Sequence, residues 1–574
     1  MYTLGINAAF HDPAACLVKD GVVLAAAEEE RFTRIKHGKR PIPFSAYELP
    51  FHAIDYCLKA GGIELRQVDH VAYSFDPFIT LGGRRDATVT LPLEPSAQPP
   101  SGEWESPWEP LFLSYIVNAP RHLADGVPHH LRARFRGATP EGPYRWHFVP
   151  HHLAHAASAF LPSPFSRAAV MTLDGRGERA TTSYWSGAGH RVAPLGTVDM
   201  PHSLGLLYEQ LTRHLGFLHS SDEYKVMALA SYGKPVYLDE FHDVVRYEGE
   251  GRYRIQPVEW EERFGAPRVP GGPIEQRHYD LARSLQVVLE YTVLRLAQWL
   301  HETTKLPDLC LAGGVALNCV MNARLRDLSP FANMWVQPAA GDAGTALGAA
   351  LWIDGRMRDF PEARSYVMED VLLGPSYDDE TIDAFLRRAK LRYRRLSDVA
   401  EETAALLADG LIVGWFQDRM EWGPRALGAR SILASPLTPD MQERMNGLKD
   451  REDFRPVAPV VPEESAGDWF VKGGRSPFML FVFDVLPDRA HRIPAVRHVD
   501  GTARVQTVTR DRQPRYYDLL RAFERRTGVP VLINTSFNTR SEPIVCTPRD
   551  AVEAFYTAPL DALVIGSFLL EKGR

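Results

Sequence analysis

Residues 149–178 read VPHHLAHAASAFLPSPFSRAAVMTLDGRGE, and the rest of the chain is best read outward from them. Three histidines, His151, His152 and His155, head a run of small residues that breaks at Pro162 and Pro164. A β-branched and apolar run, 168–173, follows and stops at Asp174-Gly175. His151 and His155 are four positions apart, so a helix puts them on one face, where they can share one metal ion. Asp174 stands where a buried strand ends and a glycine-rich turn begins, a usual place for a carboxylate that meets metal or phosphate. Histidine pairs at this spacing also arise by chance, so the pair carries weight only with further ligands. The zincin signature is absent, because Leu153 and Ala154 leave no glutamate between the two histidines. Asp342, in the glycine-rich turn GDAGTALGAA, can close a His/His/Asp/Asp set. Two imidazoles with two carboxylates suit a first-row divalent ion and do not choose among iron, zinc and manganese.

The strand, glycine turn and helix recur on either side. LPDLCLAGGVALNCVMNARL (306–325) is a short apolar strand, Gly313-Gly314, and a helix starting near Leu317. Amides at such a turn make a phosphate cradle, although one Gly-Gly turn is weak evidence. Followed by a strand at Trp335-Val336 and the turn at Asp342, it becomes the repeat of an actin/hexokinase-type nucleotide site. The N-terminus, YTLGINAAFHDPAACLVKDGVVLAAAEEERFTR, reads as strand, turn at His11-Asp12-Pro13, and returning strand, the way actin-like folds begin. His11 and Asp12 then lie at the C-terminal edge of a sheet, facing a cleft. Taken alone, His11 reads first as a turn cap and second as a catalytic group. The charged run 28–34, leading into Lys36-His37-Gly38, reads as a solvated turn.

The chain has 574 residues, 45% hydrophobic and 24% charged, which allows two or more domains of ordinary globular composition. A net charge of -7 offers no basic footprint for nucleic acid. Five scattered cysteines without a CxxC pair fit reduced cytosolic thiols. No signal peptide or membrane span is expected, and the reading is a cytoplasmic protein. The span 81–142 is rich in proline and tryptophan and reads as an insertion; Trp104, Trp108 and Phe112 would offer stacking surface to an organic acceptor, or simply pack on the domain. Ser203 to Phe217 has the period of a core helix, and Asp222, Glu223 and Lys225 crowd the loop after it. A polar linker follows Asp354, and a second domain begins near Asp379 with amphipathic helices and the strand GLIVGWF. This domain concentrates Arg419, Glu421, Arg425, Arg430, Lys449, Arg451, Arg455, Arg504 and Arg540, several beside glycine and proline in turns. That placement suits capture of phosphate or carboxylate groups.

The motifs AAAEEERFTRIKHG, HHLAHAASAF, LDGRGE, EYKVMALASYG, LAGGVALN, GDAGTALGAA, MEWGPRALGARSIL, FRPVAPVV, DGTARVQTV and LINTSFNTRSEPIV occur in this order. Together they resemble the O-carbamoyltransferases that include NodU, cephem carbamoyltransferase and tobramycin carbamoyltransferase, over the whole chain except the insertion. The resemblance implies an α/β protein. Residues 1–365 would be an actin-like (ASKHA, threonylcarbamoyl-transferase-like) domain with the insertion at about 81–142, and 366–574 a YrdC-like α/β domain. It implies that the second domain joins carbamoyl phosphate to ATP, giving carbamoyl-adenylate and pyrophosphate. The first then passes the carbamoyl group to an acceptor hydroxyl, releasing AMP. By motif position, Arg425, Lys449, Arg451, Arg455, Arg504 and Arg540 would bind carbamoyl phosphate and ATP, with Arg540 the loosest match. His151, His155, Asp174 and Asp342 would hold the metal, iron first, with zinc or manganese as alternatives. Gly313, Gly314 and Asn318 would contact the adenylate, and ATP would bring Mg²⁺. His11 is the first candidate base, oriented by Asp12; Asp222 is the second, with Lys225 neutralising charge.

An actin-fold small-molecule kinase would share the glycines and Asp342 but not the arginine-rich domain. A tRNA threonylcarbamoyl-type transferase would share both domains, against the acidic net charge. A non-enzymatic regulator would not need filled metal and phosphate positions. The aromatic insertion points to a bulky natural product of macrolide or ansamycin type as acceptor. The residues leave the oligomeric state open, a homodimer included.

Overall fold

A computed structural model of the chain describes residues 1–38, 49–82, 109–125, 142–539 and 542–572. They form two compact units, neither continuous in sequence. The first is Met1–Gly205, Leu300–Ala316 and Phe331–Met368; the second is Leu206–Trp299, Leu317–Pro330 and Glu369–Arg574. The family resemblance implies one boundary at 365/366; the units join at 368/369, and 206–299 and 317–330 also group with the second.

The first unit contains two five-stranded sheets built to one plan. In one the order is Val22–Glu28, Ala14–Lys19, Tyr2–Asn7, His70–Tyr73, Arg145–Phe148. The first three strands form an antiparallel meander, and the last two run parallel to Tyr2–Asn7. In the other, Arg191–Asp199, Ala180–Ala188 and Arg167–Leu173 form the meander, and Asp308–Ala312 and Asn333–Val336 extend it in parallel. This repeated order, with its repeated directions, is the actin-like fold expected from the N-terminal strands. Positive φ at Asp20 (49°) and Gly21 (84°) matches the twist a two-residue hairpin needs.

Two helices lie between the sheets. Ala343–Met357 packs on the first sheet, His151–Phe160 on the second, and the two pack on each other. Their alanines and glycines permit this closeness. A Cβ at Gly5 would stand 1.9 Å from the Ala346 carbonyl oxygen, and one at Gly348 would stand 1.9 Å from that of Ala154. The packing thus sets one end of each helix beside the C-terminal ends of the first strands, where the turns carry polar residues.

The second unit is α/β. Its eight-stranded mixed sheet runs Arg394–Arg395, Phe568–Glu571, Ala562–Ile565, Val413–Phe416, Arg430–Ala434, Leu532–Ser536, Ala458–Pro462, Gln506–Val508. Alternate residues of each strand face opposite layers. Val413, Trp415, Leu433, Leu532 and Val564 pack with helices Val399–Ala408 and Pro514–Thr527. Phe416, Ile432, Ile533, Leu563 and Ile565 pack with Asp379–Arg388, Asp440–Leu448 and Pro548–Thr557. Helix Cys319–Leu328 joins this unit through Ala323 against Val482 and an Asn322 side-chain bond to the Leu480 carbonyl (3.0 Å). No described helix is long and apolar enough to cross a membrane.

Candidate metal centre and anion site

Helix His151–Phe160 starts after Pro150, which supplies no side-chain cap. Glu178 takes that role from the LDGRGE turn, accepting the His151 N–H at 2.9 Å and the Asp76 N–H at 2.7 Å. His151 and His155 share a face as their spacing requires, with Nε2 atoms 3.1 Å apart. Asp174 follows strand Arg167–Leu173, and Asp342 is the N-cap residue of Ala343–Met357. The His151 Nε2 lies 3.5 Å from Asp174 Oδ2 and 3.6 Å from Asp342 Oδ1; for His155 the distances are 3.9 and 3.6 Å. The structure therefore brings together all four candidate ligands read from the sequence.

Two of the four are fixed from behind. The His151 Nδ1 meets the Ser74 carbonyl at 3.2 Å, and Asp174 Oδ1 accepts the Gly314 N–H at 2.8 Å. Burial pulls His151 down, but the carboxylates of Asp342 and Asp174 lift it well above an ordinary histidine. Burial likewise works against both aspartates, yet the imidazoles hold them below the usual carboxylate range. His155 is wholly buried, and its Nδ1 has no hydrogen-bond partner among the described residues. Two imidazole nitrogens face two carboxylates at 3.5–3.9 Å, slightly wider than the roughly 3.4 Å that bonds of about 2.1 Å set between ligand atoms. A small inward movement of the side chains would let them hold a divalent ion. His152 turns away: its Nδ1 lies 2.7 Å from Thr172 Oγ1, and burial with the nearby His151 pushes it down to about 3.

A second histidine cluster stands on the turn after Tyr2–Asn7. Asp12 Oδ2 is 2.7 Å from His11 Nδ1, and its Oδ1 is 2.8 Å from His37 Nδ1. Burial opposes the charge on Asp12, but the two imidazoles hold it well below the usual range. His37 is a residue the sequence reading passed over as part of a solvated turn. That expectation fails for Glu28, Glu29 and Arg31, which are buried. Arg31 pairs with Glu28 (3.3 Å) and Glu30 (3.0 Å), Glu29 accepts the Ala53 N–H (2.8 Å), and Glu30 accepts that of His37 (2.7 Å). Three glutamates and an arginine directly after an apolar strand were the available signal.

Gly313 and Gly314 spend their amides internally, on the Ala340 carbonyl (2.8 Å) and on Asp174 (2.8 Å). Asn318 belongs to the second unit, where it caps helix Cys319–Leu328 and its Nδ2 donates to Gln286 Oε1 (2.8 Å). Asp222 and Lys225 are also there; Lys225 Nζ lies 3.1 Å from Asp222 and 2.9 Å from Glu452. Of the insertion's aromatic residues, Trp104 and Trp108 lie outside the described residues. Phe112 meets Phe10 at 5.2 Å, and Phe10 meets Phe75 at 5.1 Å.

In the second unit Glu421 organises the loop that carries Arg425. Its Oε1 accepts the N–H groups of Leu427 (2.8 Å), Ala429 (2.7 Å) and Arg430 (3.0 Å). Burial and the Arg504 guanidinium push Arg425 below its ordinary value; burial, Arg455 and Arg504 do the same to Arg451. Arg425 Nε, Arg451 Nη2 and Arg504 Nε are buried without a partner among the described residues. Mutually repelling guanidinium groups with unused N–H donors are suited to hold an anion. Arg455 lies over the Tyr224 ring at 4.6 Å. Lys449 is differently employed: its ammonium donates to Ser536 O (2.6 Å), Ser536 Oγ (2.8 Å) and Asn538 Oδ1 (2.7 Å). Arg419 and Arg430 are braced by backbone carbonyls, Leu373 (2.7 Å) and Pro375 (3.0 Å) respectively, although Arg430 keeps a buried Nε without a partner among the described residues. Arg540 lies outside the described residues.

Comparison with known proteins adds the family. A model described as carbamoyltransferase N-terminus matches residues 2–80 and 144–351, and one described as carbamoyltransferase C-terminus matches 404–572. An uncharacterized Synechocystis protein is 42% identical over 100% of this chain and 97% of its own length. Nodulation protein NolNO of Sinorhizobium fredii is 39% identical over 99% of this chain and 80% of its own. Nodulation protein NolO of Bradyrhizobium diazoefficiens is 41% identical over 74% and 78%.

Proposed function

The chain belongs to the carbamoyltransferase family, and on that premise we propose that it is an ATP-dependent O-carbamoyltransferase working through carbamoyl-adenylate. The observation that carries this reading is the group of buried, unpartnered guanidinium N–H donors at Arg425, Arg451 and Arg504. With Arg455, these groups bind the phosphates of carbamoyl phosphate and ATP and spread the charge of the leaving pyrophosphate. Water first cleaves the donor's O–P bond, giving carbamate and orthophosphate; a carbamate oxygen then attacks the α-phosphorus and the bond to the β-phosphate breaks, releasing pyrophosphate.

Transfer belongs to the histidine-bearing unit. The acceptor hydroxyl attacks the carbamoyl carbon, the bond to AMP breaks, and His11 takes the hydroxyl proton at Nε2. Asp12 receives the Nδ1–H of His11 and stabilises the imidazolium formed. A divalent ion held by His151, His155, Asp174 and Asp342, iron first and zinc or manganese as alternatives, would supply positive charge for the adenylate phosphate. The Phe10, Phe75 and Phe112 cluster, one residue from His11, supports a bulky, partly apolar natural product as acceptor.

Product analysis tests this. ATP with carbamoyl phosphate, without acceptor, should yield pyrophosphate and require both substrates, and adding an acceptor should yield AMP. Formation of ADP with a hydroxylated compound, and no pyrophosphate, would replace this reading by an actin-fold kinase.

A further inference from the structure

One buried hydrogen-bonded chain joins the two histidine clusters of the first unit. Asn7 ends the first strand and is 4% exposed; its Nδ2 donates to the carbonyls of both His11 (2.8 Å) and Asp12 (3.0 Å). Its Oδ1 accepts the Ser74 hydroxyl at 2.9 Å. Ser74, fully buried, has its carbonyl 3.2 Å from His151 Nδ1, and its Oγ lies 2.8 Å from Thr345 Oγ1. Thr345 Oγ1 in turn lies 2.5 Å from the backbone carbonyl of Asp342. Glu178 fixes the same junction from the other side by accepting the N–H groups of Asp76 and His151.

A packed core does not need these groups. Three buried polar side chains are costly unless satisfied, and apolar residues of similar volume fill such space more simply. The turn they hold is also strained, with Ala9 at φ 85° and Asp12 at φ 42°, conformations that L-residues avoid without support. We infer that Asn7 and Ser74 are positioning residues that couple the four-ligand centre to the His11–Asp12–His37 cluster. The Ser74 carbonyl sets the tautomer and plane of His151, the Ser74 hydroxyl holds Asn7, and Asn7 holds the turn that aims His11. An ion that tightens His151 and Asp342 thereby reorients the proposed base. The inference rests on the metal reading of the first cluster and is independent of the carbamoyl-adenylate chemistry.

The test uses the full chain, ¹⁵N-labelled at histidine and titrated with Zn²⁺ alone, with the imidazole signals of His11 and His37 assigned by substitution. In the wild type, Zn²⁺ binding is expected to move both signals. Ser74→Ala keeps the carbonyl that orients His151, so it should bind Zn²⁺ within about threefold of wild type, short of the roughly 10–100-fold loss usual for a missing outer partner. In that variant the two signals should no longer follow the ion, and Ser74→Thr, which restores a hydroxyl, should restore the response. Should Ser74→Ala fail to fold, Asn7→Asp, which keeps the acceptor for Ser74 but loses the donors to His11 and Asp12, gives the same readout. Signals that stay still in zinc-loaded wild type, or move equally in Ser74→Ala, overturn the coupling. A wild type that binds no Zn²⁺ overturns the metal reading and the coupling with it.

Discussion

His155 shows how little freedom a single residue has once its surroundings are fixed. Its ring is wholly buried, and its Nε2 faces two carboxylates and the His151 nitrogen. Replacing it with alanine removes one candidate ligand and one of the two imidazoles that offset the buried carboxylates of Asp174 and Asp342. His155→Ala should weaken metal binding by roughly 100-fold or more, read by competition with a chelator. Asp12 gives a prediction in pH. Its pKa is depressed in the folded chain, so its contribution to stability is present above the unfolded carboxylate value, about 3.9, and disappears as pH falls through the folded value. Asp12→Asn should therefore flatten the acid limb of the stability curve below about pH 4, and an acid-unfolding midpoint identical to wild type would contradict that role. The four candidate ligands were legible because each is a ligand type at a definite place: two on one helical face, two where strands meet glycine-rich turns. His37 was not, since it reaches Asp12 through a backbone excursion at φ 57° that no periodicity announces. Charge alone also failed to separate Arg425 from Arg430, whose Nη atoms donate to several backbone carbonyls while its Nε, like that of Arg425, is buried without a partner among the described residues.

At the scale of elements, close packing of small residues sets the geometry of the centre. Helix Ala343–Met357 can carry Asp342 to the histidines only because Gly348 lets it lie against Ala154. Gly348→Val would drive a side chain into that carbonyl, at a cost above about 3 kcal/mol, and should leave the chain insoluble or unable to bind metal. Gly62, where a Cβ would meet nothing within 4 Å among the described residues, provides the control, although its φ of 65° makes any substitution there mildly strained. Glu421 plays the matching part in the other unit. Glu421→Gln removes the charge that three backbone N–H groups share, at a cost of about 2–4 kcal/mol, and should lower both the unfolding midpoint and pyrophosphate release. The hairpins and strand ends could be read from turn residues and apolar runs. The repeat of one sheet plan could not, because parallel neighbours such as Tyr2–Asn7 and His70–Tyr73 are paired across a long crossover that leaves no local signal.

For the whole molecule, an apolar helix face does not name the surface it will cover. The second unit draws on 206–299 and 317–330 as well as 369–574. The segment 366–574 expressed alone would lose Ala323 from Val482 and the Leu317 carbonyl from Arg425, a 3.0 Å contact. It should unfold at lower temperature than the full chain and bind inorganic pyrophosphate more weakly, which calorimetry can read. The two units carry two different chemistries in their side chains, guanidinium donors in one and imidazoles with carboxylates in the other. The most direct test of that division is acceptor-free pyrophosphate release from ATP and carbamoyl phosphate by Arg504→Ala and His155→Ala, measured beside the wild type. Arg504→Ala should fall by roughly 100-fold or more while His155→Ala stays within about threefold. Equal loss in both variants, or wild-type release by Arg504→Ala, would contradict the assignment of adenylate formation to the arginine site.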